Sequence, residues 1–302
     1  MEGQVRAFLA SLESQPTYSS STRLAYDNDL RCFIGFLKEK LDRSPKLSDF
    51  SAKHVAEFLH TERQSGKRHS TILRRRASLR RFARFLRQDN PEWAAKFDPE
   101  SHLIDDAISQ TSPTRTPHYL SDEQVKSLWK VMESSSSHRA RRDQAILALL
   151  LECGLTVGVL TALNLSDIDD QAGRLRLEQD DGTEHWICLG DASEVLRRYL
   201  KEGRPELNYQ INEPALFISQ TGGRMSRQGV WQALRQWGQK ASLPIPLSPR
   251  LLRHTAVIRM VHSGRTPAEI QVLLGHSNPL STQALLRRLM PETREAIEEE
   301  KQ

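Results

Sequence analysis

A chain of 302 residues, 38% hydrophobic and 27% charged, has the length for two domains that each bury a core of their own. No stretch approaches the roughly 20 apolar residues of a membrane span, and the opening MEGQVRAFLASLESQ carries an early acid and no apolar signal core, so a cytoplasmic protein is expected. Net charge is only +5, but it is unevenly spread: ten Lys or Arg and no Asp or Glu lie between residues 63 and 87, whereas the C-terminal PETREAIEEEKQ is acidic.

Residues 1–90 read as helices almost throughout. A first amphipathic segment covers residues 5–14. After a Ser-rich turn at 19–21, residues 22–39 place Leu24, Leu30, Phe33, Ile34 and Leu37 at helical spacing. A third helix near 52–63 turns Val55, Phe58 and Leu59 inward. A fourth starts after Ser70 with Ile72, Leu79, Phe82 and Leu86 on one stripe. Its remaining faces carry Arg74, Arg75, Arg76, Arg80, Arg81, Arg84 and Arg87. A solvated face usually mixes signs. Arginines without an acid repel one another unless an anion sits among them, so this helix is expected to meet nucleic-acid phosphates. Arg63, Lys67, Arg68 and the hydroxyls of Ser70 and Thr71 at the helix start extend that surface.

Residues 93–118, rich in Pro, Ser and Thr without periodicity, read as a linker between an N-terminal domain (1–92) and a C-terminal one (119–302). Ser121 is placed to cap the next helix. Helices over 141–153 and 157–164 lead to strands near 174–178 and 184–189, joined by the hairpin signal Asp180-Asp181-Gly182. Helices then follow at 192–202, 226–241, 249–263, 267–274 and 280–289. Cys32, Cys153 and Cys188 lie far apart with no CxxC or Cys/His cluster, and read as reduced core residues. No metal, nucleotide or redox cofactor is implied.

This order of elements, carrying STILRRRASLRRFARFL, RDQAILALLLECGL, LNLSDID, LFISQTGGRMSRQGVWQAL, LSPRLLRHTAVIRMVHSG and IQVLLGHSNPLST in succession, resembles the tyrosine recombinase (phage integrase, Xer-type) family over nearly the whole chain. The resemblance implies a mainly α protein: an N-terminal SAM-like core-binding bundle, then a mixed α/β catalytic-type domain with a small sheet. It implies a clamp around duplex DNA, and a tyrosine that attacks a phosphodiester beside two arginines, a lysine and His or Trp residues, which stabilise developing negative charge.

Several positions of that set depart from the family. Thr156 stands in Gly154-Leu155-Thr156 where the first arginine belongs, and a hydroxyl brings no bidentate cation. The lysine's hairpin holds Asp180, and no lysine occurs between Lys130 and Lys201. Counting from His276 puts Leu285 or Leu286 at the tyrosine position, and no tyrosine follows Tyr209. Arg253 matches the second arginine, Arg250 replaces the usual histidine, and His276 matches the later His/Trp position. Arg250, Arg253 and His276 are expected to contact phosphate, or else to be a surface Arg pair and a helix-end histidine. At the TGGRMSRQGV junction the resemblance brings Arg224, Ser226, Arg227 and Gln228 toward DNA; ordinary capping is the other reading. Trp231 and Trp237 read as core aromatics. The acidic end at 291–302 is either a helix exchanged between subunits or a frayed tail.

The expectation is a chain that is not an enzyme: a sequence-dependent duplex-DNA-binding protein with a regulatory, architectural or plasmid and mobile-element maintenance role, located at the nucleoid or a plasmid. The alternative is a subunit of a recombinase assembly whose partner supplies the tyrosine. Double-stranded DNA, a homo-oligomer through the C-terminal helix and a partner recombinase are the expected partners.

Overall fold

The computed structural model describes residues 1–13, 15, 18, 20–89, 118–178, 183–207, 213–276 and 278–290. The chain divides into two compact units, 1–115 and 116–302.

Among the described residues the first unit holds four helices: α1 (Glu2–Glu13), α2 (Ser20–Leu41), α3 (Ala52–Gln64) and α4 (His69–Asp89). Their apolar stripes meet in a core of Val5, Phe8, Leu30, Phe33, Leu37, Phe58, Leu79 and Phe82. Ring contacts between Phe33, Phe50 and Phe58 at 5.4 Å, edge to face, fix how α2 and α3 approach. Leu24 departs from its expected inward position and is 70% exposed.

An ion network lies under the arginine helix. Asp29 of α2, fully buried, accepts from Arg74 Nη1 at 2.6 Å and from Ser78 Oγ at 2.7 Å. Arg75, 7% exposed, pairs with Glu62 of α3 and lies 5.5 Å over the Phe58 ring. A buried carboxylate needs this compensation, and two arginines of the basic run supply it.

The second unit begins at α5 (Asp122–Glu133), where Ser121 closes a capping box with Gln124 as its sequence predicts. There follow α6 (His138–Glu152), α7 (Val157–Ala162), β1 (Ile168–Asp169), β2 (Arg174–Glu178), β3 (Glu184–Cys188), α8 (Ala192–Arg198), α9 (Arg227–Lys240), α10 (Pro249–His262), α11 (Pro267–Leu274) and α12 (Pro279–Leu289). The strands form one antiparallel sheet in the order β1-β2-β3, with Leu175 opposite Ile187, both buried. β1, two residues long, has no sequence signal of its own. The Asp180-Asp181-Gly182 turn lies outside the described residues, as does 291–302.

α6 is apolar nearly all round and runs through the core. At its start Arg142 and Asp143 are buried together. Arg142 donates to Ile218 O at 3.0 Å, and Trp237 Nε1 donates to Asp143 Oδ2 at 2.9 Å. Trp237 is therefore a core residue as read from the sequence, with its polar edge satisfied. Trp231, also expected in the core, is instead 45% exposed. Cys153 is buried and its thiol is pushed up to about 12 by burial, but Cys188 is exposed. Among the described residues no helix is long and apolar enough to cross a membrane, and no His/Cys/Asp/Glu group could hold a metal ion.

Candidate nucleic-acid interface

Three helices of the second unit frame a cationic hollow of about 400 Å³. Ser248 caps α10 and Pro249 occupies its first turn, where a missing N–H costs nothing. Leu251 and Leu252 then face the core, which leaves Arg250 and Arg253 to the hollow. α11 ends at Gly275 in the left-handed region (φ 65°), and the reversal sets His276 at the rim. α12 presents Ser281, Ala284, Leu285 and Arg288, spaced i, i+3, i+4 and i+7, to the same space. Its opposite face, Thr282, Leu286 and Leu289, is buried. Helix phase thus separates the two leucines: Leu285 looks into the hollow and Leu286 belongs to the core.

Arg253 Nη1 donates to Gly154 O at 2.5 Å, and its Nη2 to Leu274 O at 3.3 Å and to His276 Nε2 at 2.8 Å. Burial without a carboxylate pushes Arg253 down to about 10. Because arginine only donates, His276 Nε2 must accept, so Nδ1 carries the proton and donates to Thr282 Oγ1 at 2.8 Å. The same logic makes His254 neutral: Nε2 accepts from Arg288 at 3.2 Å and Nδ1 donates to His118 O at 3.2 Å. Burial, then the nearby guanidiniums, lower both imidazoles below their ordinary value, with the His118 carbonyl partly opposing this at His254. Among the described residues that line the hollow none is acidic. The arrangement is a set of aimed donors that an oxyanion would satisfy.

Thr156 caps α7, its Oγ1 accepting from Val159 N at 3.2 Å, which is what a threonine does at that point in place of a guanidinium. Two residues on, Gly158 leaves room for another cation. A Cβ there would stand 3.0 Å from Arg227 Nη2 and 3.3 Å from Arg227 Cζ, so the Arg227 guanidinium lies across the first turn of α7.

The residues expected at the glycine-rich junction separate. Gly222 (φ 85°) makes the turn. Arg224 is committed inward: Nη1 donates to the carbonyls of Thr161, Ala162 and Leu163 at 2.9, 2.9 and 3.0 Å, and Nη2 to Asn164 Oδ1 at 2.5 Å. It closes the C-terminal end of α7, a favourable place for a cation. Ser226 caps α9, accepting from Gly229 N at 3.0 Å. Arg227, Gln228, Trp231, Gln232 and Arg235 then form one shallow exposed face of α9.

In the first unit Arg74 and Arg75 serve the buried network, and Arg75 does not reach the surface, contrary to the expectation for it. Arg81 stacks over Tyr18 at 5.5 Å. Arg63, Arg76, Arg80 and Arg84 have interactions of their own, with Arg84 remaining exposed. Lys67, Arg68 and Ser70 are exposed at the start of α4 and Thr71 is half-buried. Sequence reasoning missed Arg288. The available signal was its spacing, three residues beyond Leu285 on the same helix.

A small helical bundle and a second, mainly helical unit with a three-stranded antiparallel sheet, among the described residues, define the class of fold. A family described as "Phage integrase family" matches residues 118–289, and "Phage integrase, N-terminal SAM-like domain" matches residues 5–90. The chain belongs to the phage integrase family. It is 31% identical to "Tyrosine recombinase XerC" of Roseiflexus sp. (strain RS-1), over 94% of this chain and 88% of that one. It is 30% identical to "Tyrosine recombinase XerD" of Pseudomonas putida (strain KT2440), over 91% and 89%. Among solved structures it shares its fold with XerH site-specific recombinase (TM-score 0.71, 16% identity, 92% of this chain and 78% of that one) and with lambda integrase (TM-score 0.69, 18% identity, 98% and 97%).

These relatives correct one expectation. Thr156, Asp180 and the leucines at 285 and 286 suggested that the chain is not an enzyme. Relatives about 30% identical over more than nine-tenths of it are named as recombinases, which are enzymes, and that expectation is withdrawn.

Proposed function

We propose that this chain binds duplex DNA in a sequence-dependent way and acts in site-specific recombination, holding a backbone phosphate in the hollow of Arg250, Arg253 and His276. The observation that carries this reading is the hollow itself: a buried guanidinium with no carboxylate beside it, two neutral imidazoles and two more arginines, all facing open space. Lys67, Arg68 and Arg84 in one unit and Arg227, Gln228 and Arg235 in the other offer further contacts to phosphates and base edges.

Leu285 faces the hollow and carries no hydroxyl, so the attacking group reaches the phosphate from another side chain or from another subunit. That favours work in an assembly, as a homo-oligomer or beside a companion recombinase. Two solved relatives were captured on their DNA, one on a palindromic difH substrate and one as a dimer on a COC' core site. We place the protein with its DNA in the cytoplasm.

The test is footprinting across the native replicon, followed by a nicked trapping duplex built from the protected site. The expected result is one discrete footprint that persists against excess random DNA. The trapping duplex, offered with and without a companion recombinase, locates the covalent bond by peptide mapping. Protection no different from that of random DNA would overturn the reading.

A further inference from the structure

We infer that α12 makes the hollow a receptor for a strand-terminal phosphate at a nick, with Arg288 as the added cation. The inference rests on the reading of the hollow as a phosphate site and names a ligand for it.

An internal phosphodiester carries one negative charge, whereas a terminal phosphate carries about 1.5 to 2 near neutral pH and offers three acceptor oxygens. Three guanidiniums line the hollow, so a dianion gains more there than a singly charged diester does. Arg250 and Arg253 come from one helix and Arg288 from another, and no acid among the described lining residues offsets them. Burial, and then the charge of Arg250, lower Arg288 from its ordinary value.

Donor geometry agrees. A guanidinium has five N–H groups. Arg253 directs three hydrogen bonds to Gly154 O, Leu274 O and His276, which leaves two of its N–H groups for a ligand. Arg288 makes one bond, to His254, and Arg250 none among the described residues. Arg288 stands one turn beyond Leu285 on the face of α12 that looks into the space, and Ser281 adds a hydroxyl a turn before.

The experiment is equilibrium binding of the full chain to four matched duplexes from its footprint: intact, nicked with two hydroxyl ends, nicked with a 5′-phosphate, and nicked with a 3′-phosphate. One phosphate-bearing nick should bind roughly tenfold tighter than the hydroxyl nick, about the worth of one added hydrogen bond between charged groups. Which end gains identifies the polarity. Arg288→Gln should bring that ratio to about one and Arg288→Lys should restore part of it, since an ammonium is a point charge without the fork. Arg68→Gln, in the other unit, should weaken every duplex alike and keep the ratio. Equal affinity for all three nicks, or a ratio that survives Arg288→Gln, overturns the inference and leaves duplex binding standing. Failure of every duplex to bind overturns both.

Discussion

His254 and His276 each accept a hydrogen bond from a guanidinium, and that single fact sets their proton count. Both imidazoles lie below the ordinary value of 6.5 in the folded chain. The unfolded chain therefore takes up protons first as pH falls. Stability from this pair is fully present above about 6.5 and is lost as pH drops through the folded values. Urea unfolding at pH 7.5 and 5.5 should show a lower midpoint at 5.5, and His276→Gln should shrink the difference. A midpoint that is level or rises on acidification contradicts the assigned tautomers. The resemblance to the family singled out Arg253 and His276. That resemblance could not say that Arg253 spends three donors inside the protein, because Gly154 and Leu274 are distant from it in sequence.

At the scale of elements, α4 shows where local reading stops. Its apolar stripe was legible, and Ile72, Leu79, Phe82 and Leu86 are all buried as their period requires. Its seven arginines looked like one surface because the acid that neutralises two of them, Asp29, sits on α2, 45 residues before Arg74. Asp29→Ala should leave Arg74 and Arg75 without their buried carboxylate and cost about 3–5 kcal/mol in urea unfolding. A loss under about 1 kcal/mol, the worth of an exposed pair, would show that the network is not buried in solution.

α7 offers a second element-scale test. Gly158 is the seat of Arg227, so Gly158→Ser should push the guanidinium off the helix while Thr156 still caps it. Gly158→Ser and Arg227→Ala should each lower the salt dependence of duplex binding by about 0.9 in log–log slope, the value for one phosphate contact. Combined, they should do no more than either alone. Additive losses would mean that Arg227 does not act from that seat. Trp231 was read as a core aromatic by residue type; six residues before Trp237 on one helix, it lies on a different face, and α9 buries Trp237 on Asp143 while Trp231 turns outward.

At the scale of the molecule, the order of helices and the two long strands could be read in advance because hydrophobic period and turn residues agree there. β1 could not, since two residues carry no period. Nor could chemistry be read from missing residues: vacant family positions said what the site lacks, whereas α12 shows what stands there instead. The central claim is that this site holds a backbone phosphate of bound duplex. It is tested most directly by neutral methylphosphonate linkages placed one at a time along the footprint, with affinity measured for the wild type and for Arg250→Gln. One position should weaken the wild type and have little effect on the variant, since the charge and its partner are removed together. If no position has a cost that depends on residue 250, the hollow does not hold the DNA backbone.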